Sequence, residues 1–252
     1  MSKVNQPRRV ALITGGTTGI GFATARILHE QNYAVVVTGQ NTDRIAAAKK
    51  ALPSDVVVLR ADIRVLAETQ AVADEIRTRF GRLDALFLNA GVGPMQPIEG
   101  VDEASFDNTF AINVKGQFFT LQKVLPLLQD GASVVLMTAQ GVVIGAPSYA
   151  MPTATRGAMM AMVAPLAVEL APRRIRVNAV SPAAIDTPAL EKLGLSAEQL
   201  AGVGKWIAGR VLVGRTGTAE DVAHVVAFLM SPAAGFITGA CIPIDGGMSV
   251  SM

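Results

Sequence analysis

The sequence predicts a three-layer α/β fold around a doubly wound parallel sheet, and three observations carry that prediction. Apolar, β-branched runs alternate with longer segments of helical period. The runs lack the apolar–polar alternation of a half-solvated sheet, so both faces of each strand must be covered. No linker, low-complexity tract or repeat interrupts the series, and 252 residues suffice for one sizeable core. The chain therefore reads as a single domain, 1–252.

The strands expected are Arg8–Thr14, Ala34–Thr38, Val56–Arg60, Asp84–Leu88, Ser133–Thr138 and Ile175–Val180. Helical patterns fall between them at Gly19–Gln31, Asp43–Ala51, Leu66–Phe80, Glu103–Leu128 and Pro152–Ala171. Such a βαβ series implies right-handed crossovers with helices on both sides of the sheet. Pro152 suits the first turn of its helix, where the missing N–H costs nothing, while Pro165 inside the same helix should kink it. The glycine-broken segment Thr187–Arg210 reads either as a substrate lid or as an ordered pair of surface helices.

Half of the residues are hydrophobic, 17% are charged and the net charge is +2, with Lys and Arg scattered. This describes a folded, soluble chain and disfavours a nucleic-acid surface, which needs a basic stripe. The N-terminal MSKVNQPRRV is polar, unlike a secretory leader, and the apolar stretch Gly157–Val168 is short for a bilayer and contains a proline. A cytoplasmic protein with no membrane partner is expected. Cys241 stands alone, which fits a packed residue in a reducing compartment. His29 and His224 have no ligand spacing to an acid or thiol and read as surface or satisfied histidines.

The first strand runs into TGGTTGIG, Thr14–Gly21. Gly15, Gly19 and Gly21 allow a tight turn, close approach of a pyrophosphate and close helix–sheet packing, and the helix N-terminus favours the anion. By itself such a turn can be a bare βα connection; after strand one and before a helix it points to a dinucleotide. Thr17, Thr18 and Ile20 complete the candidate phosphate-binding set.

The G-x-x-x-G-x-G spacing resembles that of the short-chain dehydrogenase/reductase family. LNAG (Leu88–Gly91) is similar to the family's turn after strand four, and Asp62-Ile63 to the pair beside adenine. Asn113 in FAINVKGQFF matches the family's helix asparagine. VNAVSPAAIDTP (Val177–Pro188) resembles its Asn-x-x-x-Pro-Gly-x-x-x-Thr segment, with Ala183 replacing the glycine and Asp186 at a variable position. The stretch Gly214–Gly247 is close to the family's usual C-terminal third. The resemblance covers nearly the whole chain and implies a Rossmann-type fold that binds NAD(P)(H). Its cofactor contacts would be the glycine turn, Asn89, Ala90, Gly91, Asp62, Ile63, Arg156, Pro182, Ile185 and Thr187. It also implies a homo-oligomer, tetramer or dimer, built through the helices Glu103–Leu128 and Pro152–Ala171. Met159, Met160, Met162 and Val163 would serve such a contact or the subunit's own core.

Strand two ends TGQN, Thr38–Asn41, without the acid that would bind ribose hydroxyls and repel a 2′-phosphate. Gln40 stands where NADP-preferring relatives often have Arg, and Arg44 follows one turn later. NADP(H) is favoured over NAD(H), the alternative being that Gln40 and Asn41 only cap the next helix.

The family's proton chemistry uses Ser, twelve residues, Tyr, three residues, Lys. TRGAM (Thr155–Met159) matches the Lys segment with Arg156 in its place; counting back gives Pro152 for Tyr and Ala139 for Ser. Neither proline nor alanine can move a proton, so the standard relay cannot run. In one reading Tyr149, seven residues before Arg156 as in the enoyl reductase branch, acts as the phenolic acid. Arg156 and Asn113 would then hold cofactor and water, and Thr138 would supply the missing hydroxyl. Tyr149 can equally be a loop aromatic packing over the helix start. This reading gives a reductase of a small or medium carbonyl or activated alkene. In a second reading the chain binds NAD(P) without chemistry, as a sensor, scaffold or oligomer partner. Halohydrin dehalogenation is rejected: that branch replaces the glycine turn, which is intact here, and keeps the Tyr. Met95, Leu190, Leu193 and Trp206 are candidates to line an apolar pocket.

Overall fold

The structure, a computed structural model, describes residues 8–187, 198, 202 and 209–251. Its strands are β1 (Arg9–Ile13), β2 (Tyr33–Gly39), β3 (Val57–Arg60), β4 (Leu83–Leu88), β5 (Leu128–Met137), β6 (Arg176–Pro182), the short β7 (Ile185–Asp186) and β8 (Gly217–Thr218), and β9 (Cys241–Ile244). Seven of them form one sheet in the order β3-β2-β1-β4-β5-β6-β9, parallel throughout. β7 and β8 pair separately beyond the end of β6. The helices are α1 (Gly19–Glu30), α2 (Thr42–Ala51), α3 (Leu66–Phe80), α4 (Glu103–Phe110), α5 (Gln117–Val124), α6 (Ala150–Leu170) and α7 (Ala219–Met230).

The continuous apolar runs have the physical cause expected of them. Successive residues of β1 and β5 alternate between two buried clusters, one on each face of the sheet. Ala11, Ile13, Val135 and Met137 pack with α1 and α7; Val10, Leu12, Val134 and Leu136 pack with α3, α5 and α6. With neither face wet, no polar residue interrupts the pattern.

Several elements differ from the sequence reading, and α7, β7 and β8 fall outside the strands and helices it expected. The helix expected over Glu103–Leu128 is divided: a π-helical segment, Ala111–Gly116, separates α4 from α5. The apolar spacing hides this, because one widened turn shifts the stripe only slightly. Pro126 stops α5, and the chain enters β5 at Leu128. β9 went unanticipated because it is short and half-buried and carries Pro243, which an edge strand tolerates. Pro165 lies within α6 on its exposed side, as does Ala161 four residues earlier, whose unpaired carbonyl water can satisfy.

Helix Ala150–Arg173 is long and apolar enough to cross a membrane by composition alone. Met159, Val163, Ala167 and Leu170 bury one side of it against the sheet. Met159 and Val163, candidates for a subunit contact, are thus covered by the subunit's own core. The expected lid at 187–210, with Leu190, Leu193 and Trp206, lies almost wholly outside the described residues.

Candidate active site

The carboxyl ends of the strands open into a cleft of about 1140 Å³ at the point where the sheet order reverses between β1 and β4. Every expected cofactor residue except Gly21 lines it.

At the nucleotide end the glycines act by clearance. Gly15 has φ +63°, and a Cβ there would stand 2.8 Å from Ala90 Cα. Gly21 lies behind the cleft, where a Cβ would stand 2.6 Å from the Gly15 carbonyl and 2.7 Å from Asn89 Nδ2. The first turn of α1 therefore presses against the loop it follows. Thr18 caps α1 with extended backbone and no side-chain bond, and the first turn has no acid. The free N–H groups and positive end of the helix face the cleft beside Thr17, Gly19 and Ile20. These residues fit a dinucleotide phosphate.

Asn89 joins two loops: its Nδ2 donates to the carbonyls of Thr14 (2.9 Å) and Gly15 (3.1 Å). Thr14 Oγ1 accepts from the amides of Asn89 (2.9 Å) and Ala90 (3.0 Å) and lies 3.2 Å from Gln117 Oε1. Gln117, fully buried, donates its own Nε2 to the Ala90 carbonyl. Thr14 and Gln117 fall within the stretches TGGTTGIG and FAINVKGQFF but were not read as site residues, since their contact spans 103 residues.

Farther along, Asn41 Oδ1 accepts from Arg44 N at 2.9 Å, so Asn41 does cap α2. Gln40 and the Arg44 side chain line the cleft, and Arg44 has no ion pair among the described residues. Asp62 is held by the Arg64 guanidinium (Nη2 to Oδ2, 2.6 Å), which keeps its carboxyl below the usual range. Ile63 packs across Gly116 in the π-helical segment, where a Cβ would stand 2.7 Å from Ile63 Cγ1. Pro182, Ile185 and Thr187 form the opposite rim.

The substrate end is built differently. Ala139 and Pro152 line the cleft and bring no hydroxyl. Thr138, expected as the substitute, turns its hydroxyl into the sheet: Oγ1 donates to the Val180 carbonyl at 2.9 Å and lies 3.6 Å from Cys241 Sγ. The pairing of β5 with β6 sets this direction, which a single strand's sequence does not reveal. Asn113 is completely buried, and its amide is committed: Nδ2 donates to the Val92 carbonyl (2.8 Å) and Thr155 Oγ1 (2.9 Å), while Oδ1 accepts from Val92 N (2.8 Å). Its side chain braces the β4–α4 loop against α6.

Arg156 lines the cleft from α6, with Nη1 donating to the Met137 carbonyl at 3.0 Å. Its guanidinium lies where Gly91 lacks a side chain: a Cβ there would be 3.0 Å from Arg156 Cζ and 3.1 Å from Asn113 Oδ1. Burial pushes the guanidinium down from its ordinary value, and nearby Tyr149 partly counters this; an arginine remains cationic all the same. Tyr149 caps α6 and lines the cleft; a side chain at Gly93 would meet its hydroxyl at 3.5 Å and Pro152 Cβ at 3.9 Å. Gln140, absent from the sequence candidates, also lines the cleft and is only 5% exposed. Met95, Ile144 and Met248 supply apolar wall.

Of the histidines, His224 is exposed, whereas His29 pairs with Asp55 at 2.7 Å, well away from the cleft.

Comparison with known proteins gives this cleft a context. A family model described as enoyl-(acyl carrier protein) reductase matches residues 15–249. The 3-oxoacyl-(acyl carrier protein) reductase of Thermotoga maritima is 33% identical over 96% of this chain and 98% of its own. Levodione reductase of Leifsonia aquatica is 33% identical over 96% of this chain and 95% of its own. Among solved structures, a levodione reductase superposes with a TM-score of 0.89 at 32% identity, covering 97% of this chain and 98% of that one. A 3-ketoacyl-(acyl carrier protein) reductase from Brucella melitensis, complexed with NADH, superposes with a TM-score of 0.87 at 29% identity, covering 96% and 98%.

Proposed function

The chain belongs to the short-chain dehydrogenase/reductase superfamily, and from that premise we propose an NAD(P)(H)-dependent oxidoreductase with an atypical active site. Its substrate is a small or medium carbonyl compound or activated alkene. One observation carries the reading: the glycine turn, the Asn89–Gly91 loop, Tyr149 and Arg156 all line a single cleft at the sheet's switch point.

A bound nicotinamide cofactor supplies the two-electron reductant. The chain's own residues do the rest. The α1 N-terminus and the turn Gly15–Gly21 receive the phosphates. Arg44, with no ion pair among the described residues, and Gln40, with no neighbouring acid on β2, favour a 2′-phosphate and hence NADP(H). Arg156 offers N–H donors to the nicotinamide ribose. Tyr149 Oη gives the proton to the substrate oxygen, and Arg156 keeps its charge beside the tyrosinate that this leaves. Asn113 acts through its backbone and by fixing the Val92 loop. Assembly as a dimer or tetramer would cover Phe106, Phe118 and Val168, exposed on α4, α5 and α6. A soluble cytoplasmic enzyme is the corresponding setting.

The test is NADPH oxidation across a panel of ketones, aldehydes and enones. Tyr149→Phe should lower turnover roughly a hundredfold or more and leave NADPH affinity unchanged. Unchanged turnover would sink the role of Tyr149. The second reading, binding without catalysis, draws on Ala139, Pro152 and the inward Thr138 hydroxyl; it requires tight NADPH binding with no oxidation by any substrate.

A further inference from the structure

We infer that the substrate end of the cleft holds a carboxylate, seated between the Arg156 guanidinium and the Gln140 carboxamide in the room left by Ala139 and Pro152. The inference rests on the reductase reading and narrows its substrate to a carbonyl compound that also bears a carboxylate.

Charge is the first argument. Arg156 forms no ion pair among the described residues, and its Met137 bond occupies one of five N–H donors. Among the described residues that line the cleft, the one acid is Asp62, which is held by Arg64 and sits at the adenosine end. A cation taken partly out of water without a counter-charge is costly, and an anion arriving from solution offsets that cost.

Gln140 is the second argument. It is 95% buried by its 5% exposure, it lines the cleft, and its side-chain amide has no hydrogen-bond partner among the described residues. The amide opens on the cleft, where its donors are free to bond a group from outside the chain. Its Nε2 donates to a carboxylate oxygen without transferring a proton, which suits a site that has no acid of its own at Ala139 or Pro152.

The third argument joins the substitutions. A lysine ammonium is a point charge, whereas the guanidinium is a planar fork that matches both oxygens of a carboxylate. Replacing Tyr by Pro152 removes a ring from the same wall. The fork and the space thus suit the same ligand group, and the apolar lining from Met95, Ile144 and Met248 strengthens the pairing by excluding water.

The experiment uses calorimetry on the full chain saturated with NADP⁺, titrated with 2-oxo-4-phenylbutanoate and separately with its ethyl ester. Neither ligand can be reduced by NADP⁺, so binding is read without turnover. The acid should bind at least about tenfold more tightly than the ester. Gln140→Leu should erode that preference with NADP⁺ affinity unchanged; its amide has no partner among the described residues, so their packing does not depend on it. Arg156→Met should abolish the preference. Equal affinities in the unsubstituted protein, or tighter binding of the ester, overturn the carboxylate seat. Failure of the parent reading registers elsewhere, as acid preference retained while no substrate oxidises NADPH.

Discussion

At the nucleotide end of the cleft, Thr14, Asn89 and Gln117 tie β1, the loop after β4 and α5 together through paired polar atoms. At the substrate end, Gln140 and Tyr149 carry side-chain polar atoms without partners among the described residues, and the Ala139 and Pro152 side chains carry none. Dinucleotide binding draws on backbone amides, glycine clearance and loop bracing, which are the same features that keep the loops folded. Proton chemistry draws on a few side chains, and those of Tyr149 and Gln140 brace no loop among the described residues. The first kind of site cannot be lost without loss of stability, and the second can be exchanged residue by residue while the fold stands.

The largest effect is expected from Gly21→Val, whose Cβ would stand 2.6 Å from the Gly15 carbonyl. NADPH affinity should fall at least about a hundredfold, or ~2.7 kcal/mol, by fluorescence titration; retained affinity would show that the turn does not carry the phosphates. Next comes Gln117→Leu, which strands the Ala90 carbonyl and should lower unfolding free energy by ~1–3 kcal/mol in denaturant titration. If stability held and only binding fell, the bracing argument would be wrong. Arg44→Ala should weaken NADPH about tenfold and leave NADH alone. Equal losses for both cofactors would remove the 2′-phosphate assignment.

The smallest effect belongs to a site outside both halves. Asp221 closes the capping box of α7 and receives the Arg215 guanidinium at 2.6 Å. That hydrogen bond, first among the causes, holds its carboxyl well below the usual range. The folded state binds this proton less readily than the unfolded state. The contribution is therefore present above about pH 4 and fades as pH falls below it. Since a third of the side chain is exposed (33%), Asp221→Asn should cost at most about 1 kcal/mol near neutrality. The difference from the unsubstituted protein should shrink on acidification and leave NADPH binding untouched.

The glycine turn and the central strands were legible in the sequence because each depends on local spacing: glycines four and two positions apart in the turn, unbroken apolar runs in the strands. The absence of Ser and Tyr was legible for the same reason. What the sequence withheld was direction. Thr138 reads as a hydroxyl near the cleft, yet its bond to Val180 depends on a strand 42 residues away. Asn113 reads as a water-holding residue, but its amide is consumed by Val92 and Thr155 because the π-helical turn swings it inward. Gln140 sat one residue beyond a counted motif, and only its burial marks it.

The guanidinium of Arg156 fills the space that the missing side chain of Gly91 leaves open. Positions 91 and 156 are therefore joined in any history of this chain: a side chain at 91 could be admitted only after 156 had shortened or moved. A library that randomises the α6 positions alone explores half of that pair, and any side chain wanted at 91 requires the loop and the helix to change together.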